Sequence, residues 1–356
     1  MGIIKKIAIG LCLILSPAHA TEAFEGEHRG KVVLVVPQKV GGGTSVWASI
    51  VAKELEKYLG QEVVLDHHPS ARDIGGFNKF HEAYQFLDNH IMVSHGGNGV
   101  SFLTEDVKYN YADYDSIGLM NLNILVAKRK DSDMKPVKFA AGSGQTPEAY
   151  AIAMLMCGPG HTVQGYIMCF KNKVNWVHGM SGGERRLAFR RGELNGTREN
   201  PAAYKKHVSK DENAEMWFHH GVLDNGVHRD DPNHIGYQFE ELYFEKWGKF
   251  PQGDFYDAYV LLKSFRDGMQ KALWVRKGNP NRDRYVEALN DVASNLESIA
   301  AITEKVGDYD WYTGDWGNEH RDFLMGLITP EALNTMVTFN REALGLKTVY
   351  KENLVD

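Results

Sequence analysis

Long hydrophobic runs are missing from almost all of the chain. The one apolar stretch, Ile7 to Leu15, follows Lys5 and Lys6 and precedes Ala18-His19-Ala20. A basic segment, a short apolar segment and an A-x-A site are typical of a cleavable secretion signal, and this run is too short to span a bilayer. We therefore expect residues 1–20 to be removed and the remainder to be a soluble protein outside the cytoplasm.

Cysteine is also scarce, with three residues in the whole chain. Cys12 lies within the predicted signal, so Cys157 and Cys169 are the two that the mature protein would keep. In an oxidising compartment they can form a disulfide that closes a short loop. We favour this bridge, and two separate buried thiols are the alternative that the sequence leaves open.

An excess of positive charge is absent. The chain has 40 Lys and Arg against 46 Asp and Glu, a formal net charge of −6, whereas a nucleic-acid partner requires a basic face. Neither GxxxxGK[ST] nor GxGxxG occurs, so a nucleotide is not indicated.

Four histidines raise the question of a metal site. His67 or His68 with His95 or His178 could form one, but because HExxH and CxxC are absent we favour surface or core histidines. We therefore expect no cofactor and no metal.

The most informative segment that is present runs from Lys31 to Ser45, KVVLVVPQKVGGGTS. Its apolar, β-branched run at 32–36 is typical of a parallel strand buried on both faces, and the following proline ends such a strand. Three glycines then leave amides uncovered, and we predict that Thr44 or Ser45 caps a helix ending at Gly60. Free amides at a helix N-terminus can bind an anion. A tight turn with nothing bound is the equal alternative.

The same pattern of strand, glycine-containing loop and helix repeats along the first third of the chain. A strand at 62–66 precedes a loop at 69–76, and a strand at 91–94 precedes glycines at 96–99. This alternation predicts an α/β fold with a parallel sheet. Because ligands bind at the carboxyl ends of such strands, we expect the segments 37–45, 69–76 and 95–99 to converge on one cleft.

A second group of units begins after an extended crossing at 114–130. We predict strands at 137–141 and 174–177, each followed by a glycine-containing loop, with Thr146 and Pro147 starting a helix. These units would form a second lobe that faces the first across a cleft. Further along, we predict long helices at 254–275 and 281–306, and a last helix that begins at Thr329-Pro330.

Five motifs in order resemble those of the substrate-binding proteins of tripartite tricarboxylate transporters. They are VPxxxGGGTS, HPSARDIG, DYDSIGLM, FAAGSG and GMSGGERRLAFRRGEL, between about residues 31 and 200. The resemblance implies a type II periplasmic-binding-protein fold, in which two α/β lobes enclose a ligand cleft at a hinge. The first lobe would comprise 21–125 plus 255–356, and the second 126–254.

The resemblance also implies which residues hold the ligand. Arg72, where the family commonly has glycine, could hold a carboxylate with both guanidinium nitrogens, or it could be an ordinary surface arginine. Ser45 occupies the position where the family usually has an aspartate after the glycines, and Gln38 occupies that of an aromatic residue after the proline. The added arginine and the lost aspartate make the first lobe more cationic. The full set of candidate ligand-binding residues is Pro37, Gly42, Gly43, Thr44, Ser45, Ser70, Ala71, Arg72, Asn98, Ser143, Gly144, Gln145, Gly179, Met180, Ser181 and Thr197.

By this resemblance, the protein would be a monomeric periplasmic receptor, not an enzyme. It would capture a small organic anion, a carboxylate by expectation, and deliver it to a membrane permease by hinge closure. Two alternatives remain open. One is a secreted α/β hydrolase that uses Ser143 or Ser181 with a histidine such as His178, although the GxSxG elbow is absent. The other is a sensory accessory that presents its ligand to a membrane kinase.

Overall fold

The structure is a computed structural model that describes residues 30–70, 73–142, 145–224 and 227–355. The predicted secretion signal lies outside these ranges. The strands are β1 (Val32–Val36), β2 (Val63–His67), β3 (His90–His95), β4 (Tyr114–Met120), β5 (Leu125–Arg129), β6 (Val137–Ala141), β7 (Val174–His178), β8 (Gly196–Glu199), β9 (Ala214–His219), β10 (Val222–Asp224), β11 (Val227–Arg229), β12 (Lys271–Arg276) and β13 (Trp311–Thr313).

The helices alternate with these strands through most of the chain. Short helical turns also lie at Tyr84–Phe86, Tyr111–Asp113, Pro201–Ala203, Tyr204–Val208 and Glu352–Leu354. The longer helices are α1 (Gly43–Leu59), α2 (Ile74–Glu82), α3 (Gly96–Thr104), α4 (Pro147–Cys157), α5 (Val163–Lys173), α6 (Gly182–Arg190), α7 (Phe239–Trp247), α8 (Asp254–Asp267), α9 (Arg282–Ser294), α10 (Leu296–Val306), α11 (Gly314–Gly326) and α12 (Pro330–Glu342).

One six-stranded sheet, which we call the first sheet, has the order β13-β4-β12-β3-β1-β2. Strand β1 pairs in parallel with β2 and β3, while β12 is antiparallel to both β3 and β4. Successive side chains of a strand point to opposite faces. Leu34 accordingly packs in the core that contains Trp47 of α1, and Val33 packs in the core that contains Phe77 of α2. The continuous apolar run of β1 is therefore buried on both faces, as the sequence predicts.

Residues 125–219 contain a three-stranded sheet, β8-β5-β9, and a two-stranded sheet, β6-β7, which we together call the second sheet. Strands β6 and β7 are parallel, and β5 lies between β8 and β9 with antiparallel pairing. Asn195 joins the two groups: its backbone N–H donates to the carbonyl of Lys138 at 3.0 Å, and its Oδ1 accepts from the Lys138 N–H at 2.6 Å. The β6-β7 pair therefore continues the edge of the β8-β5-β9 group.

Two chain segments cross between the sheets side by side. Residues 121–124 join β4 to β5, and residues 268–270 join α8 to β12. The Leu122 N–H donates to the carbonyl of Asp267 at 3.0 Å, and the Asn123 amide donates to the buried carboxylate of Asp231 at 2.8 Å. The first crossing segment is thus hydrogen-bonded to the end of α8, directly before the second crossing segment, and to Asp231.

Several predicted elements agree with the structure, and two do not. The strands at 32–36 and 137–141 are confirmed, as is the capping of α12, where Thr329 Oγ1 accepts from the Ala332 N–H at 3.2 Å. The predicted helix at 254–275 is wrong, because α8 ends at Asp267 and β12 follows. The predicted helix at 281–306 is two helices, since the Asn295 side chain caps α10.

The division into lobes at 125 and 255 stays a prediction. Helix α12, in the segment that we assigned to the first lobe, packs on helices of the second. The Phe339 ring lies 4.6 Å from that of Tyr150 and 5.3 Å from that of Phe170, and the Tyr150 hydroxyl donates to the Met336 carbonyl at 3.1 Å. The end of the chain therefore links the two predicted lobes. None of the described helices has the length and apolar composition that a membrane crossing requires.

Cys157 and Cys169 form a disulfide, with an S–S distance of 2.03 Å. The bond joins the end of α4 to α5 and closes a loop with a sequence separation of 12 residues. A cross-link of this kind restricts the unfolded chain, which raises the free energy of unfolding. The bridge that the sequence analysis favoured is present.

Replacing both cysteines by serine should lower the free energy of unfolding by about 3 kcal/mol, the magnitude expected for a loop of about 15 residues. Urea titrations of the oxidised wild type and the double variant measure the difference. Dithiothreitol should destabilise the wild type by a similar amount and leave the double variant unchanged. Equal stability of the two oxidised proteins would show that the bridge contributes nothing.

Candidate functional site

The first three strand-end segments meet at one place, as the sequence predicts. The Asp73 carboxylate, just before α2, accepts from the Gln38 side-chain amide at 3.0 Å and lies 2.9 Å from His95 Nε2. The Asn98 side-chain amide donates to the Asp73 carbonyl at 3.0 Å. Residues following β1, β2 and β3 therefore form one hydrogen-bonded group at the carboxyl end of the parallel strands.

The protonation of His95 follows from its partners. The Gly97 N–H donates to His95 Nδ1 at 3.0 Å, so the proton of the neutral ring is on Nε2 and points at Asp73. Burial lowers the pKa of His95, although the hydrogen bond to Asp73 acts in the opposite sense. Burial alone would raise the pKa of Asp73, but the hydrogen bonds from His95 and Gln38 hold it below its usual value. The pair is a neutral donor facing a carboxylate.

The glycine loop before α1 differs from the prediction in its helix cap and in its backbone amides. The N-cap is Gly42, and neither Thr44 nor Ser45 caps the helix, because both lie in its first turn. Gln38 Oε1 accepts from the Thr44 N–H at 3.0 Å, and the Gly42 N–H donates to the Lys39 carbonyl at 3.0 Å. Two amides expected to be free for an anion are therefore occupied by the loop itself.

The glycines at 96–99 are also not an open loop. They form the first turn of α3, where His95 and Asn98 make a capping box. A Cβ at Gly96 would collide with the carbonyl of Arg266, and one at Gly99 would collide with that of Phe265. Glycine is thus required here because α8 packs directly on α3, and Asn98, which is fully buried, fixes this turn to Asp73.

The remaining predicted residues occupy varied positions. Pro37 is buried against Gly76, and Ser70 Oγ accepts from the Gly75 N–H at 2.7 Å. In the second lobe, the Gly179 N–H donates to the Gly142 carbonyl at 3.2 Å, which brings the two predicted loops together.

Gln145 is buried and accepts from Thr104 Oγ1 at 2.6 Å. Gly43 is exposed, and Ala71, Arg72, Ser143 and Gly144 lie outside the described residues.

Two adjoining cavities lie between the sheets. The hinge cavity, of about 200 Å³, borders both crossing segments and is lined by Asn123, Arg185, Arg198, Glu199, Arg266 and Lys271 among others. The loop cavity, of about 160 Å³, borders the Asp73–His95 group and is lined by Gly97, Ser101 and Gln145. Arg198, Arg266 and Gln270 line both. The cleft is therefore continuous around these three side chains.

A buried ion network forms the floor of this cleft. The Glu148 side chain is fully buried; its carboxylate lies 2.9 Å from Arg198 Nη1 and 3.9 Å from Arg266 Nη1. Burial alone would raise the pKa of Glu148, but these two guanidinium groups hold it well below its usual range. Arg266 also pairs with Asp267 at 2.9 Å. Glu148 is therefore ionised and compensates cations from β8 and α8.

Sequence reasoning missed most of the charged residues of the cleft. Arg185 lies in the GMSGGERRL motif, so a signal was present, but the resemblance directed attention to the neighbouring Gly179, Met180 and Ser181. Thr197, one of the candidate ligand-binding residues, is buried and precedes Arg198 in the chain. Its hydroxyl has no hydrogen-bond partner among the described residues. Arg266 and Lys271 lay in a segment interpreted as one helix, and no local pattern identified them.

Of the residues proposed for a hydrolase, Ser181 and His178 do not pair, and Ser143 lies outside the described residues. His178 Nε2 lies 2.6 Å from the Leu344 carbonyl, and Ser181 Oγ accepts from the Glu184 N–H of its own helix at 3.4 Å. Ser45 Oγ does lie 2.9 Å from His67 Nε2, but Ser45 is only 2% exposed. Within the described part of the chain, no three histidine, cysteine or acidic side chains are grouped to hold a metal ion.

The fold is that of periplasmic binding proteins. The structure is similar to a TctC solute-binding protein from Polaromonas, with a TM-score of 0.52, 16% identity and coverage of 83% of this chain and 97% of the other. It is similar to the periplasmic binding protein BugD, with a TM-score of 0.55, 13% identity and coverage of 88% and 98%. It is also similar to MatC from Rhodopseudomonas palustris with bound malate, with a TM-score of 0.50, 13% identity and coverage of 87% and 98%.

These similarities confirm the α/β, two-lobed periplasmic-binding-protein fold that the resemblance implied. The similar structures are those of solute-binding proteins and include proteins of the kind named by the resemblance. At such identities the likeness concerns the fold. No protein-family model matches the chain, and no curated protein matches it by sequence.

Acidification should destabilise the protein between pH 7 and pH 5. Burial lowers the pKa of His95, His219 and His228, so below about pH 6.5 the unfolded chain binds protons that the folded protein does not. Each such group lowers the free energy of unfolding by up to about 1.4 kcal/mol per pH unit in this window. Urea titrations at several pH values measure the slope.

His95→Asn should keep the N-cap and reduce this slope by about one proton. His161→Asn, at an exposed histidine, is the matched control for the loss of an imidazole. A His95→Asn variant with the slope of the wild type would contradict the assignment of a neutral, buried ring at this position.

Proposed function

We propose that the protein is a periplasmic solute receptor that binds a small organic anion, a carboxylate by expectation, in the cleft between its lobes. The fold supports a binding role, since the similar structures are of solute-binding proteins. The observation that supports an anionic ligand is a pair of buried cations, Arg185 and Lys271. Both line the hinge cavity, and neither has a carboxylate at ion-pair distance among the described residues.

Arg185 is 8% exposed, and its hydrogen bond is to a neutral group, the Met180 carbonyl, at 3.1 Å from Nη1. Its Nε has no hydrogen-bond partner in the described ranges. Burial and the nearby Arg198 cation lower the pKa of Arg185 to about 10, although Glu199 and Glu148 act in the opposite direction. Arg185 therefore stays charged at neutral pH. A buried charge without a counter-ion costs several kcal/mol, and a bound anion would offset that cost.

Lys271 is 9% exposed and lies at the start of β12. Its ammonium donates to Thr44 Oγ1 at 3.0 Å, next to the N-terminus of α1. Burial and Arg266 lower its pKa to about 8, although Asp73 acts in the opposite direction. The positive end of the α1 dipole adds to this cation. We therefore propose that Lys271, from a distant strand, supplies the positive charge for an anion near the first glycine loop.

We further propose that the ligand is held by hinge closure. The crossing segments 121–124 and 268–270 border the hinge cavity, so rotation about them would change the separation of its walls. A ligand stabilises the closed form only by the amount that it prefers that form. The MatC structure contains bound malate. By analogy, we propose that this protein binds a carboxylate and passes it to a membrane permease. We also propose that it acts in the periplasm as a monomer.

A thermal-shift screen tests the receptor function. We expect at least one member of a panel of mono-, di- and tricarboxylates, aromatic acids, sulfonates and sugar acids to stabilise residues 21–356. At a ligand concentration 100 times the dissociation constant, the gain is about 2.7 kcal/mol. Sodium chloride at equal ionic strength and the neutral amide of each hit are the controls. Small-angle scattering should show a smaller radius of gyration with the hit.

Two results would count against this proposal. Stabilisation by sodium chloride equal to that by every organic acid would indicate general charge screening and not a binding site. A hit that binds without any change in the radius of gyration would retain the receptor and remove the hinge closure.

A further inference from the structure

We propose that residues 227–236, which comprise β11 and the loop after it, form a strap that connects the two lobes and restricts their rotation. Asp231 is the positioning residue of this strap. The inference rests on the proposed receptor function, because it specifies what restrains the hinge of that receptor. From the sequence we assigned this segment to the second lobe, and its contacts with the first lobe are the observation that carries the proposal.

The chain leaves and rejoins the second sheet next to one side chain, that of His219 in β9. The His219 ring is fully buried; its Nδ1 accepts from the Gly221 N–H at 3.0 Å, and its Nε2 donates to the Gly236 carbonyl at 2.6 Å. The His219 N–H also donates to the Tyr237 carbonyl at 2.9 Å. Gly221 and Gly236 have φ angles of 68° and 80°, which favour glycine. The chain therefore turns sharply at both places.

Between these two turns the strap is bound to the first lobe. The Asp231 carboxylate accepts from the Tyr309 hydroxyl at 2.7 Å, and the Asn233 side-chain amide donates to the Asp308 carbonyl at 3.0 Å. Tyr309 is itself buried in the core that contains Trp47 of α1. The strap is thus attached to the first lobe, although the chain on either side of it belongs to the second sheet.

Strand β10, which pairs with β11, adds to this attachment. Val222 packs against the same core of the first lobe. The Leu223 carbonyl accepts from the Tyr312 hydroxyl at 3.4 Å and from the Asn121 side-chain amide at 2.5 Å. Tyr312 lies in β13 of the first sheet, and Asn121 lies in a crossing segment. The contacts of the strap therefore continue along its neighbouring strand.

Asp231 also fixes the crossing segment that borders the hinge cavity. Its carboxylate accepts from the side-chain amide of Asn123, which lines that cavity. Its other oxygen accepts from the Asn233 N–H at 2.7 Å and lies 3.2 Å from His234 Nδ1. Burial alone would raise the pKa of Asp231, but hydrogen bonds from His234, Tyr309 and Asn123 lower it to about 2. One ionised carboxylate therefore holds the strap, the crossing segment and the first lobe together.

Rotation of the lobes must either break these contacts or bend the chain at the two ends of the strap. Breaking them would leave the Asp231 carboxylate buried without its donors, which is more costly than separating neutral groups. Bending at Gly221 and Gly236 needs no such loss, because glycine tolerates a wide range of backbone angles. We therefore infer that the strap moves with the first lobe, and that the short connections at its ends set the range of the hinge.

Distances between spin labels measure this restraint without any ligand. Lys53→Cys, on α1 of the first lobe, and Lys171→Cys, on α5 of the second, provide exposed labelling positions, while Cys157 and Cys169 remain in their disulfide. Double electron–electron resonance on residues 21–356 then gives the distribution of distances between the lobes.

Tyr309→Phe removes one hydrogen bond to the Asp231 carboxylate and little else. It should raise the population of distances outside the wild-type range about tenfold, the effect of one hydrogen bond to a charged group. Asp231→Ala should broaden the distribution further. Tyr237→Phe, at an exposed tyrosine just after the strap, is the matched control and should keep the wild-type distribution.

Unchanged distributions in Tyr309→Phe and Asp231→Ala would overturn the inference. So would lower melting temperatures without broader distributions, because the contacts would then stabilise the fold and not restrain the hinge. If Asp231→Ala does not fold, Tyr309→Phe, which keeps the carboxylate, decides alone. Failure of the receptor function is distinct, since it would appear as no stabilisation by any organic acid, whereas the strap is tested without ligand.

Discussion

A single buried carboxylate, that of Glu148, determines the charge of the cleft. It lies in the first turn of α4, where the helix dipole favours a negative charge, and it meets guanidinium groups from β8 and α8. Removing one partner of such a buried network typically costs about 3–5 kcal/mol, because the remaining charges lose their compensation. Glu148 forms its ion pairs with Arg198 and Arg266, and it lies beyond ion-pair distance of Arg185 and Lys271. Their positive charge is what remains for a ligand.

The two halves of the cleft differ in how their charges are balanced. Around the loop cavity, the Asp73 carboxylate is satisfied by a neutral His95 ring and by Gln38. Around the hinge cavity, the cations exceed the acids that pair with them. Under the proposed function, the acidic groups of the ligand belong at the hinge cavity, and any hydroxyl or uncharged part belongs at the loop cavity. The site is therefore polar throughout, with its net charge concentrated at the hinge.

The fold could be predicted from the sequence because its signals are local. The apolar run of β1, the repeated strand–glycine–helix units and the Thr329-Pro330 helix start each depend on neighbouring residues. The convergence of the first three strand-end segments also followed, since parallel strands place their carboxyl ends on one edge. The break between α8 and β12 was missed because apolar residues resume soon after Gly268, at Met269 and Ala272, and nothing nearby shows that residues 271–276 pair with β3 and β4.

The candidate site could be predicted only in part, since glycine has two opposite uses. It permits an open loop with exposed amides, and it also permits another backbone to pack closely. At 96–99 the sequence suggested the first use, and the structure has the second, with α8 against α3. Lys271 could not be selected either, because its contact with Thr44 joins residues 227 positions apart. Sequence patterns located the edge of the sheet, but side chains from distant elements determine its charge.

Because the charge of the cleft depends on distant side chains, two proteins can share this fold and still bind different ligands. At 12–16% identity, apolar positions can be exchanged for one another while the layers and crossings persist. The charge of the cleft has no such tolerance, because one added or removed arginine changes which anion is compensated. In an open arrangement water would solvate Arg185 and Lys271, whereas closure would remove that water from both. Under the proposed closure, the favoured ligand would be one whose charge replaces the hydration that these cations lose, so specificity would depend on the movement of the lobes.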